Sequence, residues 1–540
     1  MKKDNLSTSV HTAHSNEDDK ELEALGYVPS FKREFSNLAT ISFAFSIMGL
    51  CSSIATTFNT PLLLGGPASV TWCWIIGACM CFTLGASIAE IVSAFPTCGG
   101  LYTASAQLCP KTMRARVGYV VGWLNILGQI AGVSSTEFGL ANMIWSAVVL
   151  VYPDYVVTPY KTVGLFIGLL CIHGVLNSVA TKYLARFTTS FVFVNLGATA
   201  LIIIVLLATT PLNEMHTASY VFGSEGLVNQ TGGWNSGLAF CFGLLSVQWT
   251  MTDYDATAHI SEEVRRAAYA APVAIFVAVI GTGLLGWLLN IVLILCSPAL
   301  EVLQAAPELA GSTFLIIMAN RMGNAGALVL WFLVCLTAFF VVQTALQAAA
   351  RTVFAFSRDH GLPDGGFLAY NSKWTMTPLR AVWACTLISV VPGLLDLASP
   401  IAANAIFALT AMALDFSYII PIFLRRWYRN HPDVVFKPGP FYLGDGLLGW
   451  AFNINCILWT CFVIVIFSMP TLLPVTADNM NYASVITVGV IVLAGFWYLI
   501  SAHKHYEGPI SNLPGGNSGE KAESNSNSQD ELAIDAKDSV

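Results

Sequence analysis

Twelve apolar blocks follow one another between residues 38 and 502, and such blocks leave a chain few folds to choose from. A bilayer core of ~30 Å needs about 20 apolar residues per helix. The blocks lack the alternation of half-buried strands and the one-sided stripe of soluble helices, so they read as membrane spans. They cover about 38–64, 69–95, 117–150, 162–180, 187–210, 235–258, 270–296, 323–350, 379–396, 402–424, 449–469 and 482–502. The third is long enough to demand a strongly tilted helix. A shorter apolar stretch, Glu308 to Arg321, reads as an interfacial or re-entrant helix.

Charged residues make up only 11% of the 540, against roughly 25% in soluble domains. That scarcity, with a mean hydropathy of +0.65, excludes a soluble enzyme, a nucleic-acid binder and a disordered scaffold. The fold class is therefore an all-α polytopic membrane protein with twelve transmembrane helices. Residues 1–37 form a polar N-terminal tail, 38–502 the transmembrane domain and 503–540 a disordered C-terminal tail. The N-terminal tail is expected to lack order to about Glu21. The C-terminal tail holds Gly515-Gly516-Asn517-Ser518-Gly519, a composition that cannot bury a core.

Basic residues set the orientation. With a cytoplasmic N-terminus, 23 of the 25 Lys and Arg fall inside, leaving only Lys161 and Arg321 outside. Both termini are then cytoplasmic. The sequon Asn229-Gln230-Thr231 falls in an outside loop, making Asn229 a glycosylation candidate; Asn5-Leu6-Ser7 is cytoplasmic and unused. No cleavable signal precedes the first span. The 13 cysteines are scattered through spans or lie inside the cell, which implies neither a disulfide framework nor a metal site.

Ionisable residues inside spans are costly and mark function. They are Glu90, Glu137, Asp253, Asp255 and Asp415, with no Lys or Arg in the interior of any span. Without basic partners, some of these acids must be protonated, face water or meet a ligand cation. That pattern suits a proton- or cation-linked carrier. Two spans are also interrupted. Span one reads Ser46-Ile47-Met48-Gly49-Leu50-Cys51-Ser52-Ser53, and span six reads Ser246-Val247-Gln248-Trp249-Thr250-Met251-Thr252-Asp253-Tyr254-Asp255. They lie five spans apart, at matching places in a 5+5 repeat, which points to a transporter binding site. Unwound backbone there offers N–H groups to a carboxylate and carbonyls to a cation. Close packing through small residues is the competing reading of Ser52 and Ser53.

Other patterns carry less. Gly281-x-Gly283-x-x-Gly286 matches a dinucleotide fingerprint but lies inside span seven with no strand before it, so it reads as helix packing. No zinc-protease or Walker motif occurs. His173, near the middle of span four, reads as a satisfied core histidine, with a proton relay as the alternative.

The second span ends Ala89-Glu90-Ile91-Val92-Ser93-Ala94-Phe95-Pro96-Thr97-Cys98-Gly99-Gly100-Leu101-Tyr102. This resembles the A-E-(I/L)-x-(S/A)-x-(F/Y)-P-x-x-G-G-x-Y signature of the amino acid–polyamine–organocation (APC) superfamily. After span six, Tyr254-Asp255-Ala256-Thr257-Ala258-His259-Ile260-Ser261-Glu262-Glu263 resembles a stretch of its amino acid/choline transporter branch, which includes GABA permeases. Phe45 to Gly49, and Arg351 with Arg358-Asp359-x-Gly361-Leu362-Pro363, match as well.

The resemblance implies inverted five-helix repeats, broken spans one and six, and alternating access to a substrate held between them. It places Gly49, Cys51, Ser52, Ser53, Trp249, Asp253 and Tyr254 at the substrate site. Asp255 falls where the superfamily often carries an acid, with Glu137 and Asp415 as further proton-coupling candidates. Glu90, Pro96, Gly99 and Gly100 read as structural. Asp253 departs from the pattern, because relatives commonly have Gly before the Tyr-Asp pair. It implies a ligand with a positive group, such as GABA, a basic amino acid or an organic cation; the alternative is a solvated residue of the inner vestibule. Trp249 and Tyr254 are stacking candidates for a cation.

The expected function is secondary active transport of amino acids or related amines, proton-coupled, without a cofactor. The partners are a small-molecule substrate, protons and the lipid bilayer, and no nucleic acid. A choline- or thiamine-type cation carrier and a non-transporting nutrient sensor are the alternatives. No nucleophile–base or metal set suggests an enzyme. The plasma membrane is the first expectation, with vacuolar or endoplasmic reticulum membranes as alternatives.

Overall fold

The structure, a computed structural model, describes residues 18–304, 312–397, 400–477 and 479–509. Among them the chain is helical, apart from one isolated parallel bridge between Phe35 and Val264. Eleven helices are long and apolar enough to cross a membrane. The twelfth span, the sixth in order, is broken into pieces too short to count alone.

The helices are α1 (Asn37–Leu64), α2 (Pro67–Ala94), α3 (Arg114–Val151), α4 (Pro159–Asn177), α5 (Thr181–Thr209), α6 (Ser236–His259), α7 (Ala267–Leu295), α8 (Thr313–Arg358), α9 (Leu379–Gly393), α10 (Pro400–Trp427), α11 (Leu447–Ser468) and α12 (Ala483–Ile500). At 1.5 Å per residue α3 is about 57 Å long, which forces the tilt expected of it. In α8 a break at Gly323 (φ 74°, ψ 165°) sets off the segment Thr313 to Met322. Residues 308–311 of the stretch expected there as a separate helix lie outside the described residues, as do 1–17 and the tail beyond 509.

Two expectations need correction. Residues 18–24 form a short helix, within the stretch expected to lack order to about Glu21. This helix is held by Arg33 Nε 3.0 Å from Asp19 and by the Arg266 amide 2.8 Å from Asp18. The helices are also longer than their apolar cores. α8 runs on to Arg358 and α10 to Trp427, which buries Arg351, Arg425 and Arg426 and leaves Arg358 partly buried. Buried acids on neighbouring segments neutralise them, so the span acids do not all lack basic partners.

Small residues let the helices close up. Gly286 of α7 sits under the Trp74 ring of α2, Gly281 faces Phe45, and Trp74 Nε1 donates to Gly283 O at 3.0 Å. The Gly281–Gly286 pattern therefore serves helix packing. Both described chain ends meet at one face: Tyr27 and Tyr506 approach the C-terminal end of α8, Tyr27 through Asp359 and Tyr506 through Phe356. This is called the terminus face below.

Candidate functional site

The break in α1 comes from one glycine. Gly49 (φ +54°) ends Asn37–Met48 and starts Leu50–Thr57 in a left-handed conformation that suits glycine. A Cβ there would run into Val341 of α8. Ser52 Oγ donates to Gly49 O at 3.0 Å and Ser53 Oγ to Met48 O at 2.8 Å. Both hydroxyls thus satisfy carbonyls at the end of the first half-helix. The first-turn amides from Leu50 onward remain, by helix geometry, without intrahelical acceptors. Cys51 is turned to α8, its Sγ 3.3 Å from Thr337 Oγ1.

In α6 the helix Leu244–Met251 stops, residues 252–255 are non-helical, and Ala256–His259 resumes. Asp253 sits in the break at φ +64°, a strained conformation for a residue with a side chain. It is 9% exposed, so it is not a solvated vestibule residue. Gln129 Nε2 of α3 donates to its Oδ1 at 3.2 Å. Asp255 is fully buried and accepts from Asn125 Nδ2 at 2.6 Å, Tyr418 OH at 2.7 Å and His259 Nε2 at 2.9 Å. Asn125 and Tyr418 fasten the second half of α6 to α3 and α10, and His259 closes the bond within α6.

Asn125 and Gln129, one turn apart on α3, thus hold both aspartates of the break. Sequence reasoning passed over them, since an amide within a long span is an ordinary packing residue. Their four-residue spacing in the helix facing a broken span was the available signal. Gln129 Oε1 and Asn125 Oδ1 are buried without hydrogen-bond partners, leaving acceptors beside the break.

The remaining candidates sit around this centre. Trp249 Nε1 donates to Ser135 Oγ at 3.2 Å, and its ring meets Phe407 edge-on at 5.0 Å. Tyr254 is packed against Gly85 of α2 and Tyr418 of α10. Asp415 accepts from Gln248 at 2.9 Å, within a cluster that includes Trp459 and Cys81. Glu137 lies on the other side of α3, facing His173. Among the described residues no three His, Cys, Asp or Glu side chains gather as a metal site.

A cavity of about 520 Å³ lies beyond Phe407, toward the face opposite the termini. Thr56, Asn59, Asn142, Phe407 and Asn481 are among its lining residues, and none of the lining residues is charged. The terminus face is sealed. Glu262 pairs with Arg358 at 3.2 Å, Glu263 with Arg351 at 2.7 Å, and Tyr27 and Tyr102 both donate to Asp359, at 3.1 and 2.8 Å.

The stretches singled out in the sequence dock on one another here. Cys98 N donates to Glu262 Oε1 at 3.2 Å, and His259 Nδ1 lies 3.1 Å from Cys98 O. Gly100 (φ +53°) turns the chain against the His259 ring. Pro96 and Gly99 belong to the same turn, while Glu90, earlier in α2, ties that helix to the end of α10 and the segment after it. Glu90 Oε1 lies 2.9 Å from Arg425 and accepts from Leu443 N at 3.0 Å.

Residues 35–492 match the family model described as "Amino acid permease". The chain belongs to the amino acid permease family. This permease is 41% identical over 521 residues to an uncharacterized amino-acid permease of Schizosaccharomyces pombe, covering 94% of each chain. It is 37% identical to amino-acid permease 2 of Neurospora crassa, over 94% of this chain and 92% of that one. The GABA-specific permease of Saccharomyces cerevisiae is 31% identical, over 93% and 88%. The permease is a multi-pass membrane transporter of amino acids and not an enzyme. Asn229, in its sequon, is exposed, with its amide nitrogen 2.7 Å from Trp234 O.

Proposed function

We propose that this permease carries amino acids with a positive group distant from the carboxylate, of the GABA or basic amino-acid type, and couples their movement to protons. The observation that carries this reading is Asp253, a buried carboxylate in the α6 break whose Oδ1 accepts from Gln129. A buried carboxylate is costly unless it is protonated or paired, and an ammonium group is its natural partner. The unpartnered oxygens of Gln129 and Asn125 add acceptors for ammonium hydrogens. The first-turn amides after Gly49 suit the substrate carboxylate. Likeness to a GABA-specific permease supports the same class.

The cycle follows from the two faces. With the terminus face sealed and an uncharged cavity on the other, substrate enters past Phe407 and Trp249, which part to reach the break. Closure over the substrate then releases the ion pairs of Glu262 and Glu263. The excess of Lys and Arg on the terminus face supports cytoplasmic termini, and the plasma membrane is the proposed location. Asp255, Glu137 and Asp415 are the acids available for coupling.

The test is uptake of labelled GABA, lysine, arginine, choline and thiamine into cells lacking endogenous carriers, at two external pH values. Uptake of GABA or a basic amino acid, stronger at lower pH, is expected. Choline or thiamine uptake alone would replace the amino-acid reading with an organic-cation carrier, since the same carboxylate suits both.

A further inference from the structure

Away from the broken helices, α3, α4 and α8 enclose a second polar cluster. Glu137 and His173 are both fully buried, with His173 Nε2 3.6 Å from Glu137 Oε2. Neither carboxylate oxygen has a hydrogen-bond partner, and nor has Nε2. His173 Nδ1 lies 3.2 Å from Gln343 Oε1 of α8. A carbonyl oxygen only accepts, so Nδ1 carries the ring hydrogen and Nε2 turns a lone pair to the carboxyl group. Two acceptors facing each other in a dry interior repel unless a proton lies between them. One exchangeable proton therefore belongs to this pair.

The cluster continues toward the terminus face. Asn177, one turn along α4, donates to His173 O at 3.1 Å and to Gln343 O at 3.3 Å, leaving its Oδ1 without a partner. On α8, Gln343, Gln347 and Arg351 follow at four-residue spacing and share one side of the helix. Gln343 Nε2, both polar side-chain atoms of Gln347 and Arg351 Nη1 are buried without hydrogen-bond partners. Arg351 itself pairs with Glu263 in the seal. Buried polar atoms are satisfied as a rule. A row left open marks a path for small hydrogen-bonding species.

We propose that Glu137 and His173 hold the coupled proton, and that water bridged along Gln343 and Gln347 passes it to the Glu263 carboxylate at the terminus face, which Arg351 holds in place. This rests on the proton-coupled reading above and assigns its site. Asp255 shares a proton with His259 as well, but Asn125 and Tyr418 also hold its oxygens, whereas both oxygens of Glu137 are without partners. Phe138 and Gly139, next to Glu137 in the chain, line the uncharged cavity, so α3 carries the pair's carboxyl within one residue of that cavity. A proton binds from the cavity side and leaves on the other, with no other bond made or broken.

Apart from Cys385 of α9 and buried Asp396 just after it, the ionisable groups named below from the surrounding elements are engaged elsewhere. On α8, Arg321 binds Glu214, Arg351 binds Glu263 and Arg358 binds Glu262. On α10, Asp415 is held by Gln248, Arg425 by Glu90 and Arg426 by Asp445. Lys161 of α4 bonds Val156 O and Arg380 of α9 bonds Phe367 O. Cys51 meets Thr337, Tyr102 of the short helix Gly100–Gln107 meets Asp359, and Tyr498 of α12 stacks near Tyr119. Buried Cys385 of α9 is a free thiol.

The test uses the full chain in proteoliposomes, with labelled GABA and arginine as probes, and infrared spectra of the same protein. Net uptake driven by a pH gradient should fall at least tenfold in Glu137→Gln and in His173→Gln. Exchange of internal for external probe at equal pH should stay within about twofold, which a merely misfolded variant would not allow. Gln347→Leu should slow driven uptake and spare exchange. The carboxylic-acid C=O band that titrates in the parent protein should vanish in Glu137→Gln; this readout needs no substrate. A Glu137→Gln protein with unchanged band and unchanged coupling would overturn the assignment while leaving proton coupling intact. A parent protein driven by a sodium gradient, or by no ion, would overturn proton coupling itself.

Discussion

Arg425 Nη2 of α10 lies 2.9 Å from Glu90 Oε1 of α2, and both side chains are almost fully buried. Removing one partner of a buried pair strands the other charge, at a cost of about 3 kcal/mol or more. Glu90→Leu should therefore lower the thermal midpoint of the purified permease more than the double variant Glu90→Leu/Arg425→Leu. Thermal unfolding in detergent, followed by fluorescence, makes the comparison. Equal losses in the two proteins would show that the pair's charge balance contributes little.

Asp445, in the segment between α10 and α11, answers to pH. Burial works to raise its carboxyl pKa, but a Tyr442 hydrogen bond and Arg429, Arg425 and Arg426 outweigh it and hold the group below its usual value. A carboxyl depressed in the fold stabilises above its unfolded pKa of about 3.9 and loses that contribution as pH falls below it. The thermal midpoint of the parent should drop from pH 5 to pH 3 by more than that of Asp445→Asn. Parallel pH curves would contradict this account.

Gly49→Ala should disable transport. The substitution places a side chain at φ +54° and drives it against Val341. The left-handed strain alone is roughly 1–2 kcal/mol, and the clash shifts the amides that follow the break. Uptake should fall at least tenfold with the protein still in the membrane, as judged by surface expression alongside flux.

How much of this was legible in the sequence depends on the residue. The breaks at Gly49 and at Thr252 to Asp255 were visible because small and polar residues interrupt otherwise apolar spans. The arginines were missed for a physical reason. Hydropathy ends a span at its last apolar residue, whereas α8 and α10 continue for one or two turns, packing Arg351, Arg358, Arg425 and Arg426 against Glu262, Glu263 and Glu90. Asn125 and Gln129 were missed because nothing in one chain tells an amide that holds an aspartate from one that packs. His173 read as a satisfied core residue; its Nε2 is the atom that is not satisfied.

Asp253→Gly separates stability from recognition. Glycine adopts φ +64° freely, so the change should raise stability by about 1 kcal/mol or leave it unaltered. The carboxylate proposed to meet the substrate's positive group is lost at the same time. The apparent affinity for GABA or arginine should fall at least tenfold, measured by competition in uptake. Unchanged affinity and selectivity would sink the cation site.

Tyr27 tests the seal. Its hydroxyl donates to Asp359 at 3.1 Å, and the Arg358 guanidinium lies over its ring at 4.3 Å, so an N-terminal residue locks the end of α8. Tyr27→Phe keeps the ring and removes one hydrogen bond, worth about 1 kcal/mol. If the terminus face opens and closes as two states, that loss shifts the balance about fivefold toward the open one. Cys98 reports the shift. It is fully buried here, its amide is bonded to Glu262, and burial pushes its thiol well above the ordinary range. Opening the Glu262–Arg358 pair uncovers it. With Cys98 as the only cysteine, its alkylation should run about fivefold faster in Tyr27→Phe than in the parent. An unchanged rate would mean that Tyr27 packs against the seal without holding it shut.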